Sequence, residues 1–569
     1  MKPIPQSRHL LAVMIFTAIA ALAGYLSSLD DALSDAQVNI ATAAVKRHDP
    51  ELFEHDPIFG ERRLWLFHTP AFQSLLELVL VPTDYQDLRL PFRAMAGVIT
   101  LVYLCGMYAL LFAQCRSWSV AAFVAVLSTR VVETLGDGSW GIGPLQSITP
   151  AGLCTALFPL IVLAFLRYGV DGRSAATSAQ WRLLAVFGGV GLLGNFHLVT
   201  AMNMTIVLLI VYVARRGFRP GCLPVALACG LCALIAALPF AGYYLGMRAL
   251  MSQGVPDPDL ACVYEAFRIG ELVELYPDLL KTLLDWRLLA GALVLAAPAA
   301  AVLGRVERFR TPNLGLWLWL AAGSLFVALG LHGISQWVGQ SLGVAPPVID
   351  FPEASCLVML PLYVLLAQAI TNLFRLVRTH RAAARWACAV LFAVWMVPSD
   401  NLRLVRHAAA DLATAFLDEA DKPSYILRHR EQRAQRRELA AIGAWAAGQR
   451  GAVFLTDRGE FRMLSRHPIV AGPNDARYLY YLAPGRLCGW LKRYKKQAEL
   501  LHPSAGRADP EAFAQFVAEQ IEGSDASDAL AGRAWYAIVP APASPAKPGS
   551  LEPVVDPGWG AHYHVYKVR

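Results

Sequence analysis

Long apolar runs separated by short basic connections constrain this chain more than any other feature. A helix needs about 20 mainly apolar residues to cross the hydrocarbon core of a membrane. About eleven runs approach that length, near residues 10–28, 94–114, 117–133, 148–167, 182–198, 199–214, 221–240, 287–304, 313–331, 354–374 and 384–398. Only 16% of the residues are charged, against about a quarter in soluble domains. The sequence therefore predicts a polytopic α-helical membrane protein with about eleven transmembrane helices.

The first apolar run follows a basic start that contains Lys2 and Arg8, a pattern shared by signal peptides and membrane anchors. The run is longer than the apolar core of most signal peptides, and many further spans follow it. We therefore expect an uncleaved signal anchor.

The basic residues of the short connections indicate how the spans are oriented. They occur at Lys2, Arg8 and Arg116, and within residues 167–173, 215–219, 305–310 and 375–385. All fall on one side of the membrane under this count of spans, and the positive-inside rule makes that side cytoplasmic. The polar segments 29–93, 134–147, 241–286, 332–353 and everything after about residue 399 then lie outside the cytoplasm. The net charge of +7 is explained by these connections, so we expect no nucleic-acid partner.

The composition changes near residue 399, which divides the chain into two predicted domains. Residues 1–398 form the transmembrane domain, with a first outer loop at 29–93, and residues 399–569 form an extracytoplasmic α/β domain. Its predicted strands are 452–457, 467–472, 534–541 and 562–568, and its predicted helices include 485–501 and 510–523. Most of the ten cysteines lie in apolar runs, where cysteine acts as a small hydrophobic residue. We therefore expect no disulfide.

Three carboxylates, Asp30, Asp31 and Asp35, cluster where the first span ends. A helix over 33–47 would be amphipathic and would lie along the membrane interface. Its polar face would carry Asp31, Asp35, Asn39, Thr42 and Lys46. The carboxylates could cap this helix, accept a proton from a substrate hydroxyl, or hold a divalent metal such as Mg or Mn at a lipid diphosphate.

Two His-Asp-Pro elements, at 48–50 and 55–57, follow the acidic cluster. Aspartate before proline is typical of a helix start. We therefore interpret both elements as structural, with metal or catalytic roles for His48 and His55 as the alternative.

Five stretches together carry a family resemblance. They are “SDAQVNIATAAVKRHDPELFEHD” (34–56), “SWGIGPLQSITPAGL” (139–153), “GNFHLVTAM” (194–202), “PEASCLVMLPLYVLLA” (352–367) and “AVFLTDRGEFRMLSRHPIVAG” (452–472). In this order, with an acidic outer loop after the first span and an outer C-terminal α/β domain, they resemble the GT-C superfamily of membrane glycosyltransferases. More narrowly, the chain is similar to a group of bacterial multi-span proteins related to that superfamily.

The resemblance implies a sugar donor linked to polyprenyl phosphate, inverting transfer outside the cytoplasm, and residence in the bacterial inner membrane. It also implies a catalytic carboxylate shortly after the first span. Asp35, in “SDAQ”, resembles the acidic residue that opens the outer helix, and Asp30 and Asp31 are the neighbouring candidates. No Asp-Glu doublet stands at this point. The choice among the three therefore stays open, and a non-catalytic relative is permitted.

Further polar residues near the predicted outer face are candidates for substrate binding. They are Glu133 and Asp137, Asn195 and His197, Arg268 and Lys281, and His332 with Gln336, Asp350 and Glu353. Polar residues at membrane depth are functional candidates because lipid does not solvate them, and cations could hold a phosphate. Turn formation, a satisfied structural histidine and snorkelling arginines are the structural alternatives.

Three functions are consistent with this sequence. The first is sugar transfer at the outer leaflet, from a polyprenyl-phosphate donor in the membrane lipid to an envelope acceptor. The second is a non-enzymatic role in envelope-polysaccharide assembly, with partner proteins bound by the C-terminal domain. The third is lipid or solute transport, which the lack of an internal repeat or a central charge disfavours. An intact acidic cavity would favour the enzyme, and a cavity plugged by side chains would favour the assembly role.

Overall fold

The structure is a computed structural model that describes residues 5–29, 33–61, 64, 68–131, 148–170, 177–217, 219–252, 258–270, 296, 313–343, 349–376, 381–418, 421–503, 509–522, 530–541, 550–556 and 558–569. Helices account for most of these residues, and the strands all lie near the C-terminal end.

The first part of the chain contains helices joined by turns in its described residues, and no strand. Its α-helices are α1 (Gln6–Leu29), α2 (Asp35–His48), α3 (Pro70–Leu80), α4 (Leu90–Cys115), α5 (Trp118–Leu127), α6 (Pro150–Phe165), α7 (Thr177–Leu193), α8 (Leu198–Arg216), α9 (Cys222–Met251), α10 (Leu260–Gly270), α11 (Leu314–Leu325), α12 (His332–Leu342), α13 (Met359–Leu376) and α14 (Arg381–Met396). A π-helical segment, Phe326–Leu331, joins α11 to α12, and a 3₁₀ segment, Phe351–Val358, leads into α13.

Seven helical stretches in the described part are long and apolar enough to cross a membrane. They are Gln6–Ser28, Leu90–Cys115, Pro150–Gly169, Leu198–Arg216, Cys222–Met251, Leu314–Leu342 and Phe351–Arg375. An eighth is possible if Ala382–Met396 and Asp400–Ala413, which meet at 82°, form one broken span. The predicted spans 117–133 and 182–198 are shorter helices, and 287–304 lies outside the described residues. These apolar helices identify the chain as a membrane protein, but the predicted count of eleven spans is not confirmed.

Small residues let neighbouring spans approach closely. A Cβ atom at Gly97 of α4 would lie 3.2 Å from the backbone oxygen of Ala20 in α1. A Cβ atom at Gly191 of α7 would lie 2.1 Å from the backbone oxygen of Ala233 in α9. Because lipid supplies no hydrophobic drive for helix pairing, such backbone contacts between small residues are what hold spans together.

Helix α2 forms as predicted, but its expected place along the membrane interface is wrong. Residues 37–46 are buried on every face of the helix, the predicted polar face included. Internal partners satisfy that polar face: Thr42 donates to Val38 O at 2.8 Å, and Lys46 Nζ donates to the carbonyl oxygens of Pro50 and Leu52. The helix is therefore enclosed by protein between the spans and the C-terminal domain.

The two His-Asp-Pro elements do not start helices, because the residues after them form turns. Asp56 instead accepts the backbone N–H groups of Ile58 and Phe59, each at 2.9 Å. In the first element, Asp49 ends α2 and accepts the Glu51 N–H at 3.1 Å.

The C-terminal part contains a four-stranded sheet surrounded by helices, as the predicted α/β domain requires. The helices are α15 (Arg403–Ala413), α16 (Ser424–Ala446), α17 (Phe461–Ser465), α18 (Asp475–Leu482), α19 (Leu487–Leu501) and α20 (Pro510–Glu522). The strands are β1 (Val453–Leu455), β2 (Trp535–Pro540), β3 (Leu551–Val554) and β4 (Tyr563–Val568), in the order β1-β2-β4-β3. Strands β1 and β2 are parallel and the other pairs antiparallel.

Three of the four predicted strands form. The predicted strand 467–472 contributes only an isolated bridge from Ile469 to Phe454, and β3 was not predicted.

A buried charge triad fixes the first outer segment to this domain. Arg462 of α17 is 2% exposed, and its Nε donates to Asp56 Oδ2 at 2.7 Å. Its two Nη atoms donate to the carboxylate of Asp475 at 2.5 and 2.9 Å. Burial acts against the charge, yet the carboxylates of Asp475 and Asp56 raise the pKa of Arg462 above its ordinary value. The triad joins residues about 400 positions apart in sequence.

A disulfide and an ion pair hold the other side of the domain. Cys262 of α10 and Cys488 of α19 are joined, with Cα atoms 5.7 Å apart, so the expectation of no disulfide is wrong. Lys495 of α19 pairs with Glu265 of α10 beside it. The eight other cysteines are free, and all of them lie in helices of the membrane part.

Candidate functional site

Two helix starts meet at a polar recess, which we define by His197, Thr200, Asp350, Glu353 and Arg477. His197 caps α8, its Nδ1 lying 2.7 Å from Thr200 Oγ1 and 3.4 Å from the Thr200 backbone nitrogen. The Thr200 hydroxyl donates to Glu353 Oε2 at 2.7 Å. The Thr200 hydroxyl thus lies between the imidazole at the start of α8 and the carboxylate of the 3₁₀ segment.

The recess is accessible rather than plugged. The side chains of His197 and Glu353 remain 30% and 29% exposed. Asp350 is also only half-buried. The Asn203 side chain of α8 donates a hydrogen bond to the backbone oxygen of Asp350 at 3.0 Å. These carboxyl and imidazole groups are therefore partly exposed.

The two ionisable groups next to the membrane-spanning segments have strongly shifted pKa values. Burial, followed by the neighbouring carboxylate of Glu353, raises the pKa of Asp350 to about 7. Burial lowers the pKa of His197 to about 4, so the imidazole is neutral at pH 7. A carboxyl group that exchanges its proton near neutral pH is suited to general acid–base chemistry.

Arg477 of α18 brings a positive charge to the recess from the C-terminal domain. Its guanidinium acts on both acidic and basic neighbours: it lowers the pKa of Asp350 and that of His197. It also acts on His68, whose ring lies 2.5 Å from the Tyr478 hydroxyl and whose pKa burial lowers to about 3. Planar guanidinium groups bind phosphate oxygens in a bidentate way, so Arg477 can hold a phosphate beside Asp350.

The contacts of the C-terminal domain explain how Arg477 is positioned. Asp475, two residues before it, is held by Arg462 and accepts the Gly472 N–H at 2.7 Å. Tyr481, one turn after it, accepts a hydrogen bond at its backbone oxygen from Tyr244 of α9, at 3.2 Å. Helix α18 is therefore held at one end by Arg462 and at the other by Tyr244 of α9.

Among the predicted substrate-binding residues, His197 lies in the recess. Asp350 and Glu353, which the sequence also singled out as polar outer residues, join it there, although they are about 150 residues away in the chain. None of the three occurs in a recognisable motif with the others. Their juxtaposition comes from the packing of α8 against the 3₁₀ segment.

Asn195 instead forms hydrogen bonds with two backbone groups of α9. Its side-chain amide donates to Ala236 O at 2.9 Å, and its oxygen accepts the Phe240 N–H at 3.2 Å. These two groups would bond each other in an unbroken helix, but Pro239 lies inside α9 at this point. The structure thus gives Asn195 a structural position.

Two further predicted residues also lie outside the recess. His332, 1% exposed, opens α12 and lies 2.9 Å from the Gln336 amide nitrogen inside the span. Arg268 is exposed on α10.

Several predicted residues lie outside the described part of the chain. They are Asp30, Asp31, Glu133, Asp137 and Lys281. Asp35 begins α2, but its side chain is not among those described. Two residues later, Gln37 completes a capping box with Ser34 and donates to Ile148 O at 3.1 Å. Helix α6 begins directly after Ile148 and carries Cys154, which lies close to Glu353 and His197.

The described residues do not form a metal centre. No group of three or more His, Cys, Asp or Glu side chains in that part of the chain could hold an ion. Divalent cations such as Mg need several oxygen ligands, which Asp350 and Glu353 alone do not supply.

Comparison with protein-family models and with curated proteins finds no significant match for this chain.

Sequence reasoning missed Arg477 and the triad of Asp56, Arg462 and Asp475. Arg477 stands in “NDARYLYYL”, a stretch with neither a binding motif nor an unusual charge density. Asp56 was noted, but only as a helix start. The disulfide did leave a signal, because Cys262 and Cys488 alone fall in segments that the basic connections place outside the cytoplasm.

Proposed function

We propose that the chain transfers a sugar from a polyprenyl-phosphate-linked donor to an envelope glycan, lipid or protein at the outer leaflet of a bacterial inner membrane. The observation that carries the proposal is the polar recess, where a carboxyl group with a pKa near 7 stands beside a guanidinium. It lies at the ends of α8 and of the span that begins at Phe351. A donor anchored in lipid would present its phosphate and sugar at this depth.

Each residue of the recess has its own role in the proposed transfer. Arg477 binds the donor phosphate, and Asp350 accepts the proton of the acceptor hydroxyl. The acceptor oxygen forms a bond to C1 of the sugar while the bond from C1 to the phosphate oxygen breaks, and the phosphate leaves with the bonding electrons. Thr200 and Glu353 orient His197 at the edge of the site. Because the phosphate is a good leaving group, positioning and one base are the main requirements.

The outer location is supported by the covalent link between α10 and α19. Disulfides persist in oxidising compartments and are rare in the cytosol. Cys262 and Cys488 both lie in segments that the positive-inside rule places outside the cytoplasm. The accessible recess also favours the enzyme over the alternatives of an assembly component or a transporter.

The test is complementation of a deletion strain, with envelope glycans and lipid-linked sugars profiled by mass spectrometry. The Asp350→Asn variant should lose a glycan that the wild-type gene restores, and the lipid-linked donor should accumulate. Asp259→Asn is the matched control, because Asp259 is an exposed carboxylate just before α10 and should complement fully. Protein levels must be equal in the membranes.

The same strain distinguishes Asp350 from the carboxylates of the first outer loop. Asp35→Asn, Asp31→Asn and Asp30→Asn are tested in parallel, since the family resemblance favours one of them as the base. If one of these variants loses the glycan while Asp350→Asn keeps it, the base is the carboxylate of the first loop and not Asp350. An unchanged glycan profile in the deletion strain itself would refute the proposed transfer.

A further inference from the structure

A second cavity lies away from the recess, between the first outer segment and the C-terminal sheet. Its volume is about 650 Å³, within the range of about 300–1,000 Å³ typical of small-molecule sites. Its floor is formed by apolar residues of the sheet region, including Val453, Ile469 and Trp535. His55 and Pro57 of the first outer segment contribute to its wall. The cavity shares no residue with the polar recess.

The charges around this cavity are unbalanced toward positive. Helix α19 contributes Lys492, Arg493 and Lys496 to the lining, and α20 contributes Glu519. Lys496 donates to Glu519 at 2.6 Å, so these two charges offset each other. Lys492 and Arg493 have no ion-pair partner among the described residues. About two positive charges therefore face the cavity without compensation.

Arg493 is the least compensated of these cations. Its Nε atom is buried and has no hydrogen-bond partner within the described part of the chain. The carboxylate that acts on it most is Asp475, which is already occupied by Arg462 and by the Gly472 N–H. A partly buried guanidinium that shares its nearest carboxylate with a second arginine is incompletely compensated, and an anion in the cavity would give its Nε atom a hydrogen-bond partner.

Glu519 is the only acidic residue among the described residues that line the cavity. Arg533 lies close to His55 and is hydrogen-bonded to Glu54 at 3.1 Å. Burial and then Arg533 lower the pKa of His55, so this ring is neutral at pH 7. The positive character of the cavity at neutral pH thus comes from α19.

We propose that this cavity binds a small organic anion, a phosphate or carboxylate carried on a larger body such as a sugar. Arg493 and Lys492 hold the oxyanion, and the apolar floor contacts the rest of the molecule. The cavity is far larger than a single oxyanion needs, so the bound molecule has a body beyond its charged group. The site goes beyond the proposed transfer, because it uses none of the residues assigned to it.

Binding is tested on the full-length protein in a zwitterionic detergent, by calorimetry and by the shift of the thermal unfolding midpoint. The probes are glucose 1-phosphate, glucuronate and inorganic phosphate. We expect at least one organic probe to bind with a Kd below about 1 mM, more tightly than inorganic phosphate, and to raise the midpoint. Added salt should weaken the binding.

Three variants locate the site. Arg493→Gln should weaken binding about 10- to 100-fold, as the loss of a charge-assisted contact predicts. Arg493→Lys keeps the charge and should retain part of the affinity. Lys495→Gln is the matched control, because Lys495 lies on the same helix but pairs with Glu265; it should bind like the wild type.

Three outcomes would overturn the proposal. The first is no binding of any soluble probe. The second is equal weakening by Arg493→Gln and Lys495→Gln. The third is binding of phosphatidylglycerol vesicles or inorganic phosphate alone, which would show a lipid contact or an adventitious ion only. None of these bears on Asp350, since the cavity and the recess share no residue.

Discussion

Removing Asp56 should loosen the C-terminal domain from the first outer segment. The Asp56 carboxylate accepts four hydrogen bonds, from Ile58 N and Phe59 N at 2.9 Å, Ile469 N at 3.1 Å and Arg462 Nε at 2.7 Å. Asp56→Ala leaves the guanidinium, which is 2% exposed, with one carboxylate in place of two. Breaking a buried ion pair from one side costs about 3–5 kcal/mol.

This cost can be read as a fall in the unfolding midpoint. For a domain of 150–250 residues, 1 kcal/mol corresponds to about 2–4 °C, so Asp56→Ala should lower the midpoint by about 6–20 °C. Tryptophan fluorescence of the protein in detergent is a suitable assay, because Trp490 donates to Gly472 O close to the triad.

Asp49→Ala is the matched control for this measurement. Asp49 occupies the same place in the other His-Asp-Pro element, but its carboxylate accepts one hydrogen bond, from Glu51 N, near the surface. The control should change stability by about 1 kcal/mol or less. If Asp56→Ala and Asp49→Ala have the same unfolding midpoint, the buried triad does not fix the domain and the reasoning is refuted.

Two further predictions concern protons and thiols. Because the folded state raises the pKa of Asp350 to about 7, it retains a proton that the unfolded chain releases near pH 4. Wild-type protein should therefore lose stability relative to Asp350→Asn as the pH rises from about 4 to about 7. If the unfolding midpoints of the two proteins change with pH by the same amount, this prediction is wrong. Denatured protein should take up eight alkyl groups without reductant and all ten after reduction; ten without reductant would contradict the link between Cys262 and Cys488.

The sequence predicted the membrane helices and the sheet well where one local pattern decides the structure. Apolar runs near full span length became single helices, and β-branched and aromatic runs became β1, β2 and β4. The runs 117–133 and 182–198 were overestimated because hydropathy alone does not register where a helix ends, as α5 does at Leu127.

Helix α2 shows why burial was harder to predict than helix formation. Its capping box, Ser34 with Gln37, and its helical period were readable from the sequence. The burial of Lys46 was not, because its partners are carbonyl groups of the turn that follows, Pro50 and Leu52. An amphipathic pattern predicts two different surroundings for the two faces, but internal hydrogen bonds can satisfy a polar face inside the protein just as water would.

The candidate site was predicted only as separate residues. His197 and Glu353 were each noted as polar groups near a membrane end, but the hydroxyl of Thr200 that joins them was not. Arg477 could not be found, since its role depends on how α18 is held by the buried triad on one side and by Tyr244 on the other. The site is formed by contacts between segments that are far apart in the sequence. Local sequence patterns do not predict such contacts.

The electrostatics of the recess couple donor binding to the strength of the base. Arg477 lowers the pKa of Asp350, opposing the larger effects of burial and of Glu353. A donor phosphate paired with Arg477 would offset that positive charge and add a negative one nearby, and both effects raise the proton affinity of Asp350. A bound donor would therefore shift the pH at which Asp350 loses its proton upward from that of the free protein. The same coupling predicts that substitution of Arg477 by an uncharged residue raises the pKa of Asp350 in the free protein, even where the phosphate no longer binds.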